Sequence, residues 1–165
     1  MRLVEFTSYD DIRAALGVSS DEITDATLSL PLYEFNLASE FKQISLTLIA
    51  DYEIQRETDH STWSDVQQEL HEAVYLFATY AVAKQLTASL PLFSPKEIGD
   101  GNASLVRYAQ HPYRDTITKV EQAYDTFRSK LVAAYNAVQA LTAPPMVVRS
   151  YLSVITPARD PVTGT

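Results

Sequence analysis

The sequence predicts a mainly α-helical fold: a helical bundle protomer with two long helices and a C-terminal extended strand and tail. Apolar residues recur at steps of three and four along several segments, which is the spacing of one helix face. Helix-capping residues precede several of these segments. After Ala143-Pro144-Pro145 the composition shifts to β-branched and aromatic residues. We therefore expect a helical domain over residues 1–143 and an extended strand with a docking tail over residues 144–165.

The first part of the chain predicts three helices. Ser8 is placed to cap a short helix over residues 9–16, and Gly17 to end it. Ser19 and Glu22 have the spacing of a capping box, which predicts a second short helix ending before Pro31. Pro31 suits the first turn of a third helix that runs to about residue 55. Its apolar stripe is Tyr33, Leu37, Phe41, Ile44, Leu48 and Tyr52.

A fourth helix is predicted from about residue 63 to residue 90, after a polar loop over residues 56–62. Ser61 or Thr62 is the expected cap. The helix has two apolar stripes, so it is either central in its own fold or covered by a neighbouring chain. The first stripe is Val66, Leu70, Val74, Phe77 and Ala81, and the second is Tyr75, Ala78, Val82, Leu86 and Leu90.

The longest helix is predicted to begin at Pro112, after an irregular connection over residues 91–101. Residues 102–110 fit no single pattern. The helix spans about 30 residues, or about 45 Å. This is long for a compact bundle of this size and indicates a helix that extends along neighbours. Its apolar stripe is Ile117, Val120, Tyr124, Phe127, Leu131, Tyr135 and Val138.

Residues 146–155 form the one convincing strand pattern in the sequence. A single strand leaves backbone hydrogen-bonding groups unpaired, so it must pair with a weak local strand near Leu3–Phe6 or with another protein chain. We expect the segment to be an interaction site. Its candidate contact residues are Met146, Val148, Tyr151, Leu152, Val154 and Ile155.

Composition excludes several classes of function. The chain has 13 Lys and Arg residues and 21 Asp and Glu residues, so its net charge is −8. This charge argues against a protein whose main function is to bind nucleic acid or anionic lipid. The whole excess lies in residues 1–60. There is no cysteine, and the four glycines form no phosphate-binding loop, so no cofactor is expected.

No 18 apolar residues run together and no signal peptide is visible, which predicts a soluble, intracellular chain without a membrane partner.

Neither candidate for catalytic chemistry has the required spacing. His71-Glu72 begins like the zinc motif HExxH, but Tyr75 stands where the second histidine belongs, so we interpret His71 as a solvated helix-face residue. An acidic cluster over residues 51–60 is either a divalent-cation site or a solvated rim, and its spacing favours the rim. Its members are Asp51, Glu53, Glu57, Asp59 and His60. We predict no catalytic, cofactor-binding or metal-binding residue and no enzymatic activity.

Four segments resemble the head–tail connector (adaptor, or head completion) proteins of tailed bacteriophages. They are Tyr9-Asp10-Asp11-Ile12-Arg13-Ala14-Ala15-Leu16-Gly17-Val18, Asp25-Ala26-Thr27-Leu28-Ser29-Leu30-Pro31-Leu32-Tyr33, Ile98-Gly99-Asp100-Gly101-Asn102-Ala103-Ser104, and Pro112-Tyr113-Arg114-Asp115 leading into the long helix. The resemblance covers about residues 5–140. These segments are fold-pattern motifs and include no catalytic signature.

The resemblance implies a small helical subunit that assembles, usually as twelve copies, into a ring beneath the portal. Such a ring lies at the neck of the virion, extends the DNA channel and docks tail or tail-completion proteins; before assembly the subunit lies in the host cytoplasm. We expect the acidic residues 1–60 to line the lumen or rim, where like charge keeps DNA from binding, and residues 146–155 to add to a sheet on a partner.

Two other functions remain open from the sequence. One is a cytosolic helical scaffold without catalytic activity that dimerises through the 63–90 helix. The other, which ranks lowest, is an enzyme with a carboxylate-based metal site.

Overall fold

The computed structural model describes residues 2–89, 98–99, 104–105 and 113–142. This part of the chain is mainly helical, as predicted, and the predicted strand over residues 146–155 lies outside it. The described α-helices are α1 (Tyr9–Leu16), α2 (Asp25–Leu28), α3 (Pro31–Ile44), α4 (Leu48–Arg56), α5 (Asp65–Leu86) and α6 (Arg114–Thr142). Short 3-10 helices form at Leu3–Glu5, His60–Thr62 and Thr87–Ser89. An antiparallel pair joins β1 (Ile98–Gly99) to β2 (Ser104–Leu105), with Ile98 opposite Leu105.

The expected weak strand near Leu3–Phe6 is wrong, because Leu3–Glu5 forms a 3-10 helix. Leu3 and Phe6 are both buried. Residues three apart lie on opposite faces of a strand but on the same side of a helical turn. The turn therefore lets both side chains enter the core.

The caps of α1 form as predicted, but the predicted helix from Ser19 to Leu30 is wrong. Ser8 Oγ accepts from the Asp11 amide at 3.1 Å, and Gly17 ends α1 with φ of 69°. Ser19 and Glu22 do bond to each other, yet residues 19–24 are not helical and α2 begins only after Thr24. We attribute this to Arg13, whose Nε donates to the Ile23 carbonyl at 2.8 Å and so uses an acceptor that a continuous helix would need.

The single helix predicted over residues 31–55 is two helices, with a break between Ile44 and Leu48. Ser45 has extended backbone angles, φ −155° and ψ 141°. The Tyr135 hydroxyl lies 2.8 Å from Thr47 Oγ1, so a contact from α6 stabilises the break. The break redirects the chain, which lets α3 and α4 each bury part of the predicted stripe, with Leu37, Phe41, Leu48 and Tyr52 in the core.

Helix α5 is the centre of the fold. Its cap is Ser64, which forms a capping box with Gln67, so the predicted caps Ser61 and Thr62 are wrong: those two residues lie in the preceding 3-10 helix. Both predicted stripes are largely buried within the chain itself. Their buried members are Leu70, Val74, Phe77, Ala78, Ala81, Val82 and Leu86.

Helix α6 packs antiparallel along α5: Gln67 near the start of α5 lines a groove with Val138, and Lys84 near its end lies over the Tyr124 ring. The Tyr124 ring lies 5.6 Å from that of Phe77, and the Phe127 ring lies 5.1 Å from that of Tyr80. The helix begins at Arg114 rather than Pro112 because Tyr113 has a φ of 68°, outside the helical range. Its 29 residues span about 43 Å, roughly 10 Å more than the 22 residues of α5. None of the described helices has the length and apolar content to cross a membrane.

Candidate interaction surfaces

The acidic residues of the predicted cluster take separate roles. Asp51 accepts from the Tyr135 hydroxyl at 2.6 Å and from Gln139 Nε2 at 3.0 Å. Asp59 caps the short helix that follows it by accepting from the Ser61 amide at 2.9 Å. Glu53 and Glu57 are exposed. Within the described ranges no three metal-binding side chains come together, and the cluster serves to join and cap helices.

His71 is half-buried in an aromatic cluster, so its interpretation as a solvated residue is wrong. Its Nδ1 lies 2.7 Å from the Tyr52 hydroxyl, and its ring lies 5.3 Å from Trp63 and 5.9 Å from His60. Desolvation, followed by the nearby charges of His60 and Arg56, lowers the pKa of His71. Burial raises the pKa of Tyr52 to about 12. At neutral pH a protonated phenol therefore meets a neutral imidazole, and the pair joins α4 to α5.

Arg13 is the buried cation of the N-terminal region, with only 6% of its surface exposed. Its guanidinium donates to the Ile23 carbonyl, to Asp10 at 2.8 Å and to Asp25. Planar guanidinium groups suit such multiple contacts. Arg13 thus fixes the end of the 19–24 connection against α1, a structural role that the sequence spacing did not reveal.

Three exposed apolar residues lie at the start of α3, and we name them the α3 patch: Leu32 and Phe35 on the outward face of the helix, and Leu30, its N-cap residue. Phe35 is 73% exposed, although the opposite face of the same helix buries Tyr33, Leu37 and Phe41. Nδ2 of the adjacent Asn36 donates to Gln85 Oε1 at 3.1 Å. That bond places the α3 patch near the C-terminal end of α5.

A second apolar surface lies at the other end of α5. We name it the C-terminal groove, a cavity of about 350 Å³. Ile54 on its wall is 66% exposed, and Leu141, just beyond it on α6, is also exposed. Gln55 Nε2 donates to the Gln67 carbonyl at 2.8 Å, which fixes the groove at the N-terminal end of α5. The groove is lined by Asp51, Ile54, Gln55, Thr58, Gln67, Val138 and Gln139.

The two surfaces are far apart on the protomer. Gln67 marks one end of α5 and Gln85 the other, and the 18 residues between them rise about 27 Å. A protein with two separate apolar surfaces has the means to contact two partners, or two copies of itself, at once.

Exposed acidic side chains are frequent in residues 1–60. Glu5, Glu53 and Glu57 surround one cation, Arg56, which donates to the Glu5 carbonyl at 3.1 Å. Most of the acidic residues in this part of the chain are exposed to solvent. The exposed ones are Glu5, Asp10, Asp11, Asp21, Asp25, Glu53, Glu57 and Asp59.

The six predicted contact residues of the C-terminal strand lie outside the described part of the chain. They are Met146, Val148, Tyr151, Leu152, Val154 and Ile155. No protein-family model matches the sequence, and no curated protein and no solved structure gives a significant match.

Proposed function

We propose that the protein is a structural subunit of a tailed phage, a head–tail connector that assembles as a ring beneath the portal, extends the DNA channel and docks the tail. The proposal rests on the sequence resemblance and on one feature of the protomer. That feature is the separation of the α3 patch from the C-terminal groove by about the length of α5.

The geometry of the two surfaces favours a ring over a dimer. A two-fold dimer uses the same patch on both subunits, whereas a cyclic ring joins two different patches of successive subunits. The α3 patch and the C-terminal groove are such a pair. A dimer through α5 has less support, because the protomer's own helices cover most of that helix and, among its large apolar side chains, Leu76 is the exposed one.

The charge pattern and the C-terminal segment complete the proposal. The exposed carboxylates of residues 1–60 repel the phosphate backbone, so a channel or rim that carries them lets DNA pass without binding it. Residues 146–155 add a strand to a sheet on a partner, the portal or a tail protein. In this role the protein needs no cofactor, and its subunits act mechanically.

The oligomeric state tests this proposal. Native mass spectrometry and electron microscopy of the full chain, over a concentration series and with candidate portal proteins, should reveal a ring of about twelve copies. Phe35→Asp in the α3 patch should prevent assembly, while Leu46→Asp should not, because Leu46 is 83% exposed in the α3–α4 connection, outside both surfaces. A dimer would support the scaffold function instead.

Two further observations on such a ring would contradict parts of the proposal. If residues 1–60 lay wholly on the outer surface, they would not line the DNA channel. If deletion of residues 144–165 left portal attachment unchanged, the C-terminal segment would not be the docking element.

A further inference from the structure

The C-terminal groove lies where the described chain ends. Helix α6 stops at Thr142, and the groove residues Val138 and Gln139 are four and three residues before that end, about 5–6 Å along the axis. The next residues in the sequence are Ala143-Pro144-Pro145, and proline disfavours a helix interior because it lacks the amide hydrogen. The last described residue, Thr142, is thus within about one helical turn of the groove residues, and residues 146–155 are joined to it by a short connection.

The chemistry of the groove suits an extended apolar segment. Ile54 and Val138 supply apolar wall, and an isoleucine that is 66% exposed gains free energy when it is covered. Gln55, Thr58 and Gln67 border this wall, but their polar groups already bond within the protomer. Gln55 Nε2 donates to the Gln67 carbonyl, Thr58 Oγ1 donates to the Gln55 carbonyl, and Gln67 Oε1 accepts from the Ser64 amide. The apolar wall is therefore what the groove offers to an incoming segment.

Residues 146–155 have the matching composition. Six of them are apolar or aromatic contact candidates, and Arg149 is the one charged residue in the segment. Among the described residues that line the groove, Asp51 is the one that is charged, and its charge is opposite to that of Arg149. Met146 follows Thr142 by four residues, a reach of up to about 13 Å, which is enough to return to the groove.

We propose that, in the free protomer, the C-terminal groove binds residues 146–155 of the same chain. The short connection favours the same chain over a second copy, because a tethered segment has a high effective concentration at a nearby site. A segment held there is not available to pair with a partner's sheet. This proposal concerns the free protomer and holds whether or not the chain forms a ring.

Energy transfer from the single tryptophan tests the proposal. The indole Nε1 of Trp63 donates to Thr58 Oγ1 at 2.7 Å, so Trp63 lies directly behind the groove wall. The chain has no cysteine, so Ser150→Cys takes one fluorescent acceptor at a defined position. In the full-length labelled protein at low concentration we expect strong transfer from Trp63 to the label, and loss of that transfer in Ile54→Asp.

Three controls make the experiment decisive. Leu46→Asp should keep the transfer, since it adds the same charge at an exposed leucine outside the groove. Val148→Asp alters the segment and leaves the groove intact, so it should abolish transfer without any change in circular dichroism. An excess of unlabelled protein should leave transfer unchanged; a decrease would show that a second copy occupies the groove.

Weak transfer in the labelled parent, or equal transfer in Ile54→Asp and Leu46→Asp, would also overturn the proposal.

Discussion

The hydroxyls of Thr7 and Thr79 lie 2.6 Å apart in the core, although 72 residues separate them in the sequence. Thr79 Oγ1 also donates to the Tyr75 carbonyl at 2.9 Å. A hydroxyl has one hydrogen, so Thr7 must be the donor of the bond between the two threonines. This bond joins the chain just before α1 to the middle of α5.

The direction of that bond predicts an asymmetry between two substitutions. Thr79→Val removes the acceptor of a buried donor, so we expect it to lower the free energy of unfolding by about 1–3 kcal/mol. Thr7→Val leaves Thr79 bonded to Tyr75, so it should lower the free energy of unfolding by less, about 1 kcal/mol or below. Urea denaturation of both variants measures the difference. The double variant should be more stable than the sum of the two losses predicts, and equal losses would contradict the assigned direction.

Two phenylalanines with opposite environments give a second prediction. Phe77 is fully buried between the rings of Phe41, at 5.5 Å, and Tyr124, at 5.6 Å. Phe77→Ala should therefore lower the free energy of unfolding by about 3–5 kcal/mol. Phe35→Ala removes the same group from an exposed position, so it should change the free energy of unfolding by less than about 0.5 kcal/mol. Thermal and chemical denaturation check both values. A large loss for Phe35→Ala would mean that the α3 patch is covered within the protomer.

Local sequence patterns predicted the helices but not where two of them are interrupted. Five of the six residues in the stripe from Tyr33 to Tyr52 are buried, and Ile44 is half-buried against the core, because helical spacing is a local property. At the break after Ile44, Thr47 contacts Tyr135, which is 88 residues away. In the non-helical connection before Thr24, Arg13 donates to the Ile23 carbonyl from ten residues earlier in the sequence. Such tertiary contacts override local helix propensity and leave no periodic signal.

The interaction surfaces were partly visible in the sequence. Leu32 and Phe35 stand off the buried stripe of α3, and apolar residues on the polar face of a helix are a usable signal of an exposed patch. The pairing of Tyr52 with His71 had no such signal, because it requires α4 to fold back along α5. Ile54 likewise becomes part of a groove only when α6 lies beside α4.

The cap of α5 provides a third prediction. Ser64 Oγ accepts from the Gln67 amide, and the Gln67 side chain accepts from the Ser64 amide at 2.9 Å. Ser64→Ala should lower the free energy of unfolding by about 1 kcal/mol, the usual value for loss of an N-cap. Ser61→Ala, three residues earlier, should change it by no more than about 0.5 kcal/mol, because its side chain is exposed and does not cap α5. The reverse order of losses would place the start of the helix where the sequence pattern alone predicted it.

The His71 cluster predicts that stability falls in mildly acidic solution. The pKa of His71 is below its ordinary value of 6.5, chiefly because of desolvation and then because of the charges of His60 and Arg56, while Glu72 acts in the opposite direction. The unfolded chain therefore binds the proton more readily than the folded one. The contribution of His71 to the free energy of unfolding is fully present above pH 6.5, and it is lost as pH falls from 6.5 through the folded-state pKa of His71.

Urea denaturation at pH values between 7.5 and 5 measures this effect. His71→Gln should be less stable than the parent at pH 7.5, since the imidazole contact with Tyr52 is lost, but its stability should depend less on pH in this window. Asp11 and Asp59 have pKa values lowered below 3.8 by hydrogen bonds, so their contributions are lost at more acidic pH and remain in both proteins. If His71→Gln kept the full pH dependence of the parent between pH 7.5 and 5, another group would have to be its source.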